Sequence, residues 1–169
     1  MLIGSFDIGI KNIGFCVFNS GTGAVEHLEI IDLLKGPGKK RLPFGDKTVV
    51  SLVRRMVRAR RALLASCNVV AIEKQMIRKM IIIQFVLEAV LREITTPMQV
   101  HARSVKVLFN CGTGKHKTNK KAAIKTVYKI LDKKSCAVLD KYKKKDDLCD
   151  AILQALFVAH THEGNRVSP

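Results

Sequence analysis

The first part of the chain consists of short apolar runs of strand length. Residues 2–8 and 13–19 are joined by a turn that contains Gly and Asn, which is the pattern of a β-hairpin. Residues 24–34 alternate loosely between apolar and polar and are predicted to form a third strand. Residues 68–73 are apolar almost without interruption, which is typical of a central strand covered on both faces.

Helical spacing of the apolar positions characterises most of the remaining chain. It predicts a helix over residues 47–66, a strongly apolar helix over 78–95, and further helices over 120–132 and 145–160. A short fifth strand is predicted at residues 98–102. Three strands followed by strands that alternate with helices predict an α/β fold, with a mixed five-stranded sheet and helices on both faces.

Length and charge narrow the possible functions. The chain of 169 residues has the length of one domain, and we expect a single domain over residues 1–169. It has 30 Lys and Arg against 14 Asp and Glu, a formal net charge of +16, which attracts polyanions. Nucleic acid is therefore the expected partner. A membrane is not expected, because the chain has neither a lipidation motif nor a long uncharged apolar run.

The N-terminus and the cysteines bear on location and chemistry. The N-terminal segment carries Asp7 within its apolar stretch and lacks a basic leader, which predicts an intracellular protein that is not secreted. The five cysteines are widely spaced and include no CxxC pair, so a zinc or disulfide-redox centre is not expected.

Two carboxylates stand in predicted strands. Asp7 interrupts one apolar strand and Glu73 ends another, although carboxylates are rare in central strands unless a partner compensates their charge. One interpretation is that Asp7 bonds the amides of the turn near Gly9 and that Glu73 ends in solvent. The other is that both bind a cation.

The helix predicted over residues 145–160 carries two further acids on one side. It is apolar almost all round and must be largely buried, yet Asp147, Asp150 and Gln154 lie on one face at i, i+3 and i+7. Asp146 and Asp147 are also explained as ordinary acids at a helix N-terminus, but that explanation does not cover Asp150. Two neighbouring carboxylates on a buried helix favour a cation beside them.

Together these acids supply only oxygen ligands: Asp7, Glu73, Asp147 and Asp150. Oxygen ligation suits Mg²⁺ or Mn²⁺ rather than zinc. Two such ions can activate a water and stabilise the leaving oxygen in phosphodiester cleavage. We therefore expect two Mg²⁺ ions, for which Mn²⁺ substitutes.

Four segments stand in the same order as the motifs of a known family: FDIGIKNIGF (6–15), AIEKQ (71–75), ARSVK (102–106) and KKDDLCDAILQA (144–155). They resemble the RuvC-like Holliday-junction resolvases, most closely the poxvirus members. The resemblance runs through nearly the whole chain and implies a ribonuclease H-like fold. It also implies a metal-dependent endonuclease that cuts branched DNA, such as four-way junctions, as a homodimer, in the cytoplasm for a poxvirus protein.

The resemblance also implies roles for individual residues. The catalytic and metal-binding acids are then Asp7, Glu73, Asp147 and Asp150, of which Asp7 and Asp150 are expected nearest the scissile phosphate, with Asp146 as a substitute. The family uses a basic residue near the site as well. Lys121 matches best, because its spacing to Ile124 and Val127 suits the following helix. Its charge would balance the charge that develops on the phosphate.

Other basic residues are expected to contact DNA phosphates: Arg54, Arg55, Arg58, Arg61, Lys106, Lys115, Lys117 and Lys120. The segment GTGKHKT resembles part of a nucleotide-binding P-loop. Phe109 and His116, however, occupy the positions that require Gly and Ser or Thr, so no nucleotide cofactor is expected.

Two other functions and one question of assembly stay open. The protein could be a ribonuclease H that acts on RNA·DNA hybrids with the same acids, or a non-catalytic basic nucleic-acid-binding protein. The helix over 78–95 leaves little polar face, so a partner subunit is expected to cover part of it. Full burial within the monomer is the alternative.

Overall fold

A computed structural model of the protein describes residues 1–36, 38, 40–45, 47–112 and 116–164, with the backbone alone at residues 116–117 and 163–164. Five strands in this part of the chain form one sheet: β1 (Leu2–Asp7), β2 (Ile13–Asn19), β3 (Ala24–Ile31), β4 (Val69–Glu73) and β5 (Pro97–Val100). Their order across the sheet is β3-β2-β1-β4-β5.

Strand pairing brings two of the predicted acids to one edge of the sheet. β1 pairs antiparallel with β2, which places Asp7 opposite Gly14. β1 pairs parallel with β4, and β4 pairs parallel with β5. Because parallel strands end at the same edge, Asp7 at the end of β1 and Glu73 at the end of β4 are neighbours there.

Helices cover both faces of the sheet, whose central strands are almost entirely buried. One face carries α1 (Val49–Arg58), α2 (Arg61–Ser66) and α3 (Arg78–Leu91). The other carries α4 (Ala102–Leu108), α5 (His116–Ile130), α6 (Lys133–Asp140) and α7 (Asp146–Gly164). The predicted α/β fold, with a mixed five-stranded sheet and helices on both faces, is confirmed.

The helix predicted over residues 47–66 is divided into α1 and α2. Arg60, at the division, has a non-helical backbone, and its guanidinium binds the carboxylate of Glu29 in β3 at 2.5 and 2.8 Å. It also donates to the Met56 backbone oxygen at 3.0 Å. Periodicity does not reveal this break, which coincides with an ion pair to a residue distant in sequence.

Two short helices were not predicted. α4 follows β5 almost directly, and α6 begins where Asp132 accepts a hydrogen bond from the Ser135 amide at 2.6 Å. With 7 and 8 residues, α4 and α6 are too short to show a clear helical period. α5 begins at His116, earlier than the predicted residue 120.

α3 is apolar on its outer side as well as on its inner side. Ile83, Leu87 and Leu91 are fully buried against the sheet, whereas Phe85 is 60% exposed. The monomer therefore covers only part of this helix. Within the described residues, no helix is long and apolar enough to cross a lipid bilayer.

Candidate active site

A close contact between β2 and α7 sets the geometry of the site. A Cβ atom at Gly14 would lie 2.1 Å from the backbone oxygen of Asp147, so only glycine admits this approach. Gly14 is also the partner of Asp7 in the β1–β2 ladder. The start of α7 is therefore held directly beside the end of β1.

A buried hydrogen bond fixes α7 further along its length. Ser5 Oγ donates to Gln154 Oε1 at 3.2 Å, and both side chains are almost fully buried. Asp150 lies one turn before Gln154 and three residues after Asp147. α7 consequently presents both carboxylates towards the ends of the strands.

Asp7 lies among other negative charges. Burial raises its pKa well above the ordinary value, and the neighbouring carboxylate of Glu73 raises it further. The charges of Asp150 and Asp147 act in the same direction to a smaller extent. The four acids predicted from the sequence thus lie close enough to repel one another.

Asp150 faces positive as well as negative charge. Burial raises its pKa to about 6, while Lys106 of α4 lowers it and Glu73 raises it. The same three side chains line a cavity of about 30 Å³. This volume has room for a water molecule or a small ion.

The carboxylate oxygens of these acids suit a divalent cation, although the side chains are not arranged as a complete set of metal ligands. Within the described residues, no three His, Cys, Asp or Glu side chains stand close enough together to hold a metal ion. Lys144 Nζ lies 2.6 Å from the carboxylate of Asp147, and Lys120 Nζ lies 2.5 Å from that of Asp146. Mutually repelling carboxylate oxygens are nevertheless the donor set that Mg²⁺ prefers.

The lysine that faces the acids is Lys120 rather than Lys121. A hydrogen bond to Asp146 raises the pKa of Lys120, and the charges of Asp147 and Asp150 add to this effect. Lys121 is exposed on the outer side of α5. The structure therefore does not support the expectation that Lys121 lies beside the acids.

The other basic residues expected to contact DNA differ in position. Lys106 is half-buried and faces Asp150. Lys115 lies outside the described residues, and Lys117 lies in α5 with only its backbone described. Arg55 is turned towards the chain itself, because it donates to two backbone oxygens of the segment after β3 at 3.0 and 2.9 Å.

The remaining arginines lie away from the acids. They line a cleft of about 230 Å³ between α1, α2 and the end of α3: Arg54, Arg58 and Arg61, together with Glu93. α3 leads from the edge where Glu73 lies back to the edge where β5 starts. This arginine cleft is therefore at the opposite edge of the sheet from the acids.

Glu73 has a partner that was not predicted from the sequence. Gln75 Nε2 donates to the Glu73 carboxylate at 2.7 Å, and the backbone amide of Gln75 donates to Gln84 Oε1 at 2.7 Å. Gln84 is buried on the inner side of α3. A glutamine within an otherwise apolar helix was the available signal, because buried amides almost always have a partner.

Comparisons with known proteins agree with one another. A family model described as Poxvirus A22 protein matches residues 1–161. The fold is similar to that of the fowlpox virus resolvase in its complex with Holliday junction DNA, with a TM-score of 0.66 and 20% identity over 96% of this chain and 99% of that chain.

Two other solved structures are similar over nearly the whole chain. For Thermus thermophilus RuvC in complex with its Holliday junction substrate, the TM-score is 0.64 at 18% identity, over 97% of this chain and 96% of that chain. For the yeast mitochondrial Holliday junction resolvase Ydc2, it is 0.68 at 16% identity, over 96% and 83%. At these identities the likeness establishes a shared fold. No curated protein sequence matches the chain.

Proposed function

Because the chain belongs to the Poxvirus A22 protein family, we propose that it is a metal-dependent endonuclease that resolves Holliday junctions. The observation that carries the proposal is the gathering of four carboxylates at one edge of the sheet. Two proteins with a similar fold, from fowlpox virus and Thermus thermophilus, have been observed in complex with Holliday junction DNA or substrate.

The acids would hold Mg²⁺, and Mn²⁺ would substitute for it. The ligands are Asp7, Glu73, Asp147 and Asp150, and two ions would balance more of their charge than one. Bound ions of this kind lower the pKa of a water and stabilise the leaving oxygen of a phosphodiester. By the resemblance to the RuvC-like resolvases, Asp7 and Asp150 would lie nearest the scissile phosphate.

Lys106 and Lys120 would bind the phosphate that is cut. They project from α4 and α5 towards Asp150, so their ammonium groups flank the acids from the same layer of helices. Positive charge placed there balances the negative charge that develops on the phosphate during cleavage. Lys121 would contribute only to the positive electrostatic field around the protein, because it is exposed on the outer side of α5.

The enzyme would act as a homodimer that forms through α3. Ile77 at the start of this helix is 66% exposed, and Ile81 and Phe85 follow it at spacings of four residues, so they form one apolar stripe. A second copy is the occupant we propose for this stripe. A twofold dimer would present two identical sites to a substrate that is itself roughly twofold, so that opposed strands are cut at equivalent positions.

Incision of a synthetic four-way junction with labelled strands tests the proposed activity. Asp7→Asn and Asp150→Asn should each abolish cleavage in Mg²⁺ and keep junction binding, because neither variant removes positive charge. Asp32→Asn is a matched control that breaks only the pair with Arg41, and it should cut like the wild type.

Two outcomes would contradict the proposal. One is an Asp7→Asn variant that cuts at the wild-type rate, and the other is a wild-type protein that cuts no branched DNA in Mg²⁺ or Mn²⁺. Preferential cleavage of an RNA·DNA hybrid would instead indicate a ribonuclease H.

A further inference from the structure

We infer that Gln75 and Gln84 are positioning residues for Glu73, an inference that rests on the proposed metal-dependent activity. Gln75 Nε2 donates to Glu73 Oε2 at 2.7 Å. Gln84 Oε1 accepts a hydrogen bond from the backbone amide of Gln75 at 2.7 Å. The three residues thus form a chain of hydrogen bonds from the interior of α3 to the edge where the acids meet.

The chemistry of the two bonds allows each side-chain amide only one orientation. A backbone N–H can only donate, so Gln84 must present its oxygen to Gln75. An ionised carboxylate can only accept, so Gln75 must present its nitrogen to Glu73. Loss of either glutamine therefore removes a bond that rotation of the other amide cannot replace.

Glu73 needs such a partner because the neighbouring acids repel it. Glu73 and Asp150 line the same cavity of about 30 Å³, so their two carboxylates face each other across a short distance. Repulsion at this range favours rotation of the Glu73 side chain away from the site. The bond from Gln75 opposes that rotation.

Gln75 differs from the lysine partners of the acids because it carries no charge. Lys144 holds Asp147 through an ammonium group, whose charge competes with a cation for the carboxylate. The amide of Gln75 orients Glu73 without neutralising it, and one hydrogen bond leaves other lone pairs free for a metal. Neutral outer contacts of this kind commonly fix the orientation of metal ligands.

Gln84 anchors the arrangement from inside the protein. Its side chain is only 3% exposed, and an amide is costly to bury unless it is hydrogen-bonded. The Gln75 amide lies beyond the end of β4, where Lys74 makes the last bond to β5 by donating to the Val100 oxygen at 2.8 Å. Gln84 supplies the acceptor and thereby ties the segment after Glu73 to α3.

Binding of Mn²⁺ to the DNA-free protein, measured by titration calorimetry, tests the role of Gln75. Gln75→Leu should raise the Kd for Mn²⁺ by about tenfold, the lower end of the range seen when outer contacts of metal ligands are lost. The Tm without metal should hardly change. Gln99→Leu is the matched control, because Gln99 donates to Glu88 on the surface and not to Glu73, and it should leave the Kd unchanged.

Cleavage measured over a Mg²⁺ titration separates orientation from chemistry. In Gln75→Leu the half-saturating Mg²⁺ concentration should rise, while the rate at saturating Mg²⁺ should return close to that of the wild type. A variant that only destabilised the fold would not shift the metal dependence in this way.

Variants at Gln84 test whether it acts through Gln75. Gln84→Leu should weaken Mn²⁺ binding by a similar factor, and the double variant with Gln75→Leu should lose no more than either single variant. If Gln84→Leu does not fold, Gln75→Leu still decides the matter, because Gln75 is only half-buried and its substitution leaves the buried amide of Gln84 in place.

An unchanged Kd in Gln75→Leu overturns the inference, as does an equal loss in Gln99→Leu. Failure of the proposed function would look different. A wild type that binds Mn²⁺, loses this binding in Asp7→Asn and still cuts no junction would contradict the nuclease and leave the positioning role intact.

Discussion

Asp150→Asn is expected to stabilise the metal-free protein while it removes one ligand of the proposed metal site. Burial raises the pKa of Asp150 from 3.8 to about 6, with Lys106 opposing the rise. A difference of about two pKa units corresponds to roughly 3 kcal/mol of destabilisation at neutral pH. Asparagine has nearly the same shape without the charge, so it should recover most of this free energy of unfolding.

The pH dependence of this effect follows from proton binding. A carboxyl whose pKa is higher in the folded than in the unfolded chain binds more protons when folded, so stability falls as the pH rises between the two values. For Asp150 that interval runs from 3.8 to about 6. The advantage of the variant should therefore be small below about pH 4 and complete above roughly pH 6.5.

Thermal unfolding in EDTA over this pH range measures the difference. In a domain of this size, roughly 3 kcal/mol should raise the Tm by about 6–10 °C at neutral pH. Saturating Mg²⁺ should stabilise the wild type and not the variant. Asp32→Asn, which breaks a surface pair with Arg41, is the control and should not raise the Tm.

Two results would refute this account of Asp150. The variant could be less stable than the wild type at neutral pH without metal, or its advantage could be independent of pH. Either would show that the carboxylate is not held at an electrostatic cost.

Four further predictions concern the site, the fold, the charge and the assembly. Lys120→Ala should slow junction cleavage by about 100-fold, as expected for loss of a group that stabilises transition-state charge, whereas Lys121→Ala should change the rate less than about threefold; equal single-turnover rates for the two variants would contradict this assignment. Gly14→Ala should lower both the Tm and the cleavage rate, since its Cβ would meet the Asp147 backbone. A stable, active variant would show that α7 can move away from β2 without loss of stability or activity. Junction affinity should fall steeply between about 50 and 200 mM salt, and Lys106→Ala should reduce that slope more than Arg58→Ala, because Arg58 lies at the opposite edge of the sheet; a flat salt dependence would remove electrostatics as the main contribution to affinity. Phe85→Glu should give monomers that no longer make paired cuts, as measured by sedimentation and by a cruciform plasmid assay; a wild type that is monomeric both free and on a junction would exclude the dimer.

Much of the fold could be predicted because its signals are local. The hairpin of β1 and β2, the buried strand β4 and the apolar helix α3 follow from hydrophobic period alone, and their order predicts the mixed sheet. The division at Arg60 was not predicted, because the apolar spacing continues across it and the Glu29 contact made there is distant in sequence. Periodicity also missed α4 and α6, which are too short to show it.

The candidate lysine illustrates how packing decides between neighbours in sequence. Consecutive residues of a helix point about 100° apart, so the rotation of α5 about its axis determines which lysine faces the acids. Helical spacing in the sequence aligns Lys121 with Ile124 and Val127, the larger apolar residues. In the structure α5 buries Ala123 together with Val127, which turns Lys120 inward.

The sequence by itself determined which residues are the candidates for the chemistry: acids that interrupt apolar strands and a buried helix are costly, and this cost is visible without coordinates. Only the tertiary structure decided how those acids meet and what holds them. Gly14 admits the start of α7, Gln75 orients Glu73, and Gln84 anchors Gln75 from another element. The physical reason is the separation along the chain of the residues involved. Hydrophobic period and the cost of burying a charge are properties of a local segment. Close approach and hydrogen bonding between segments depend on how the whole chain packs.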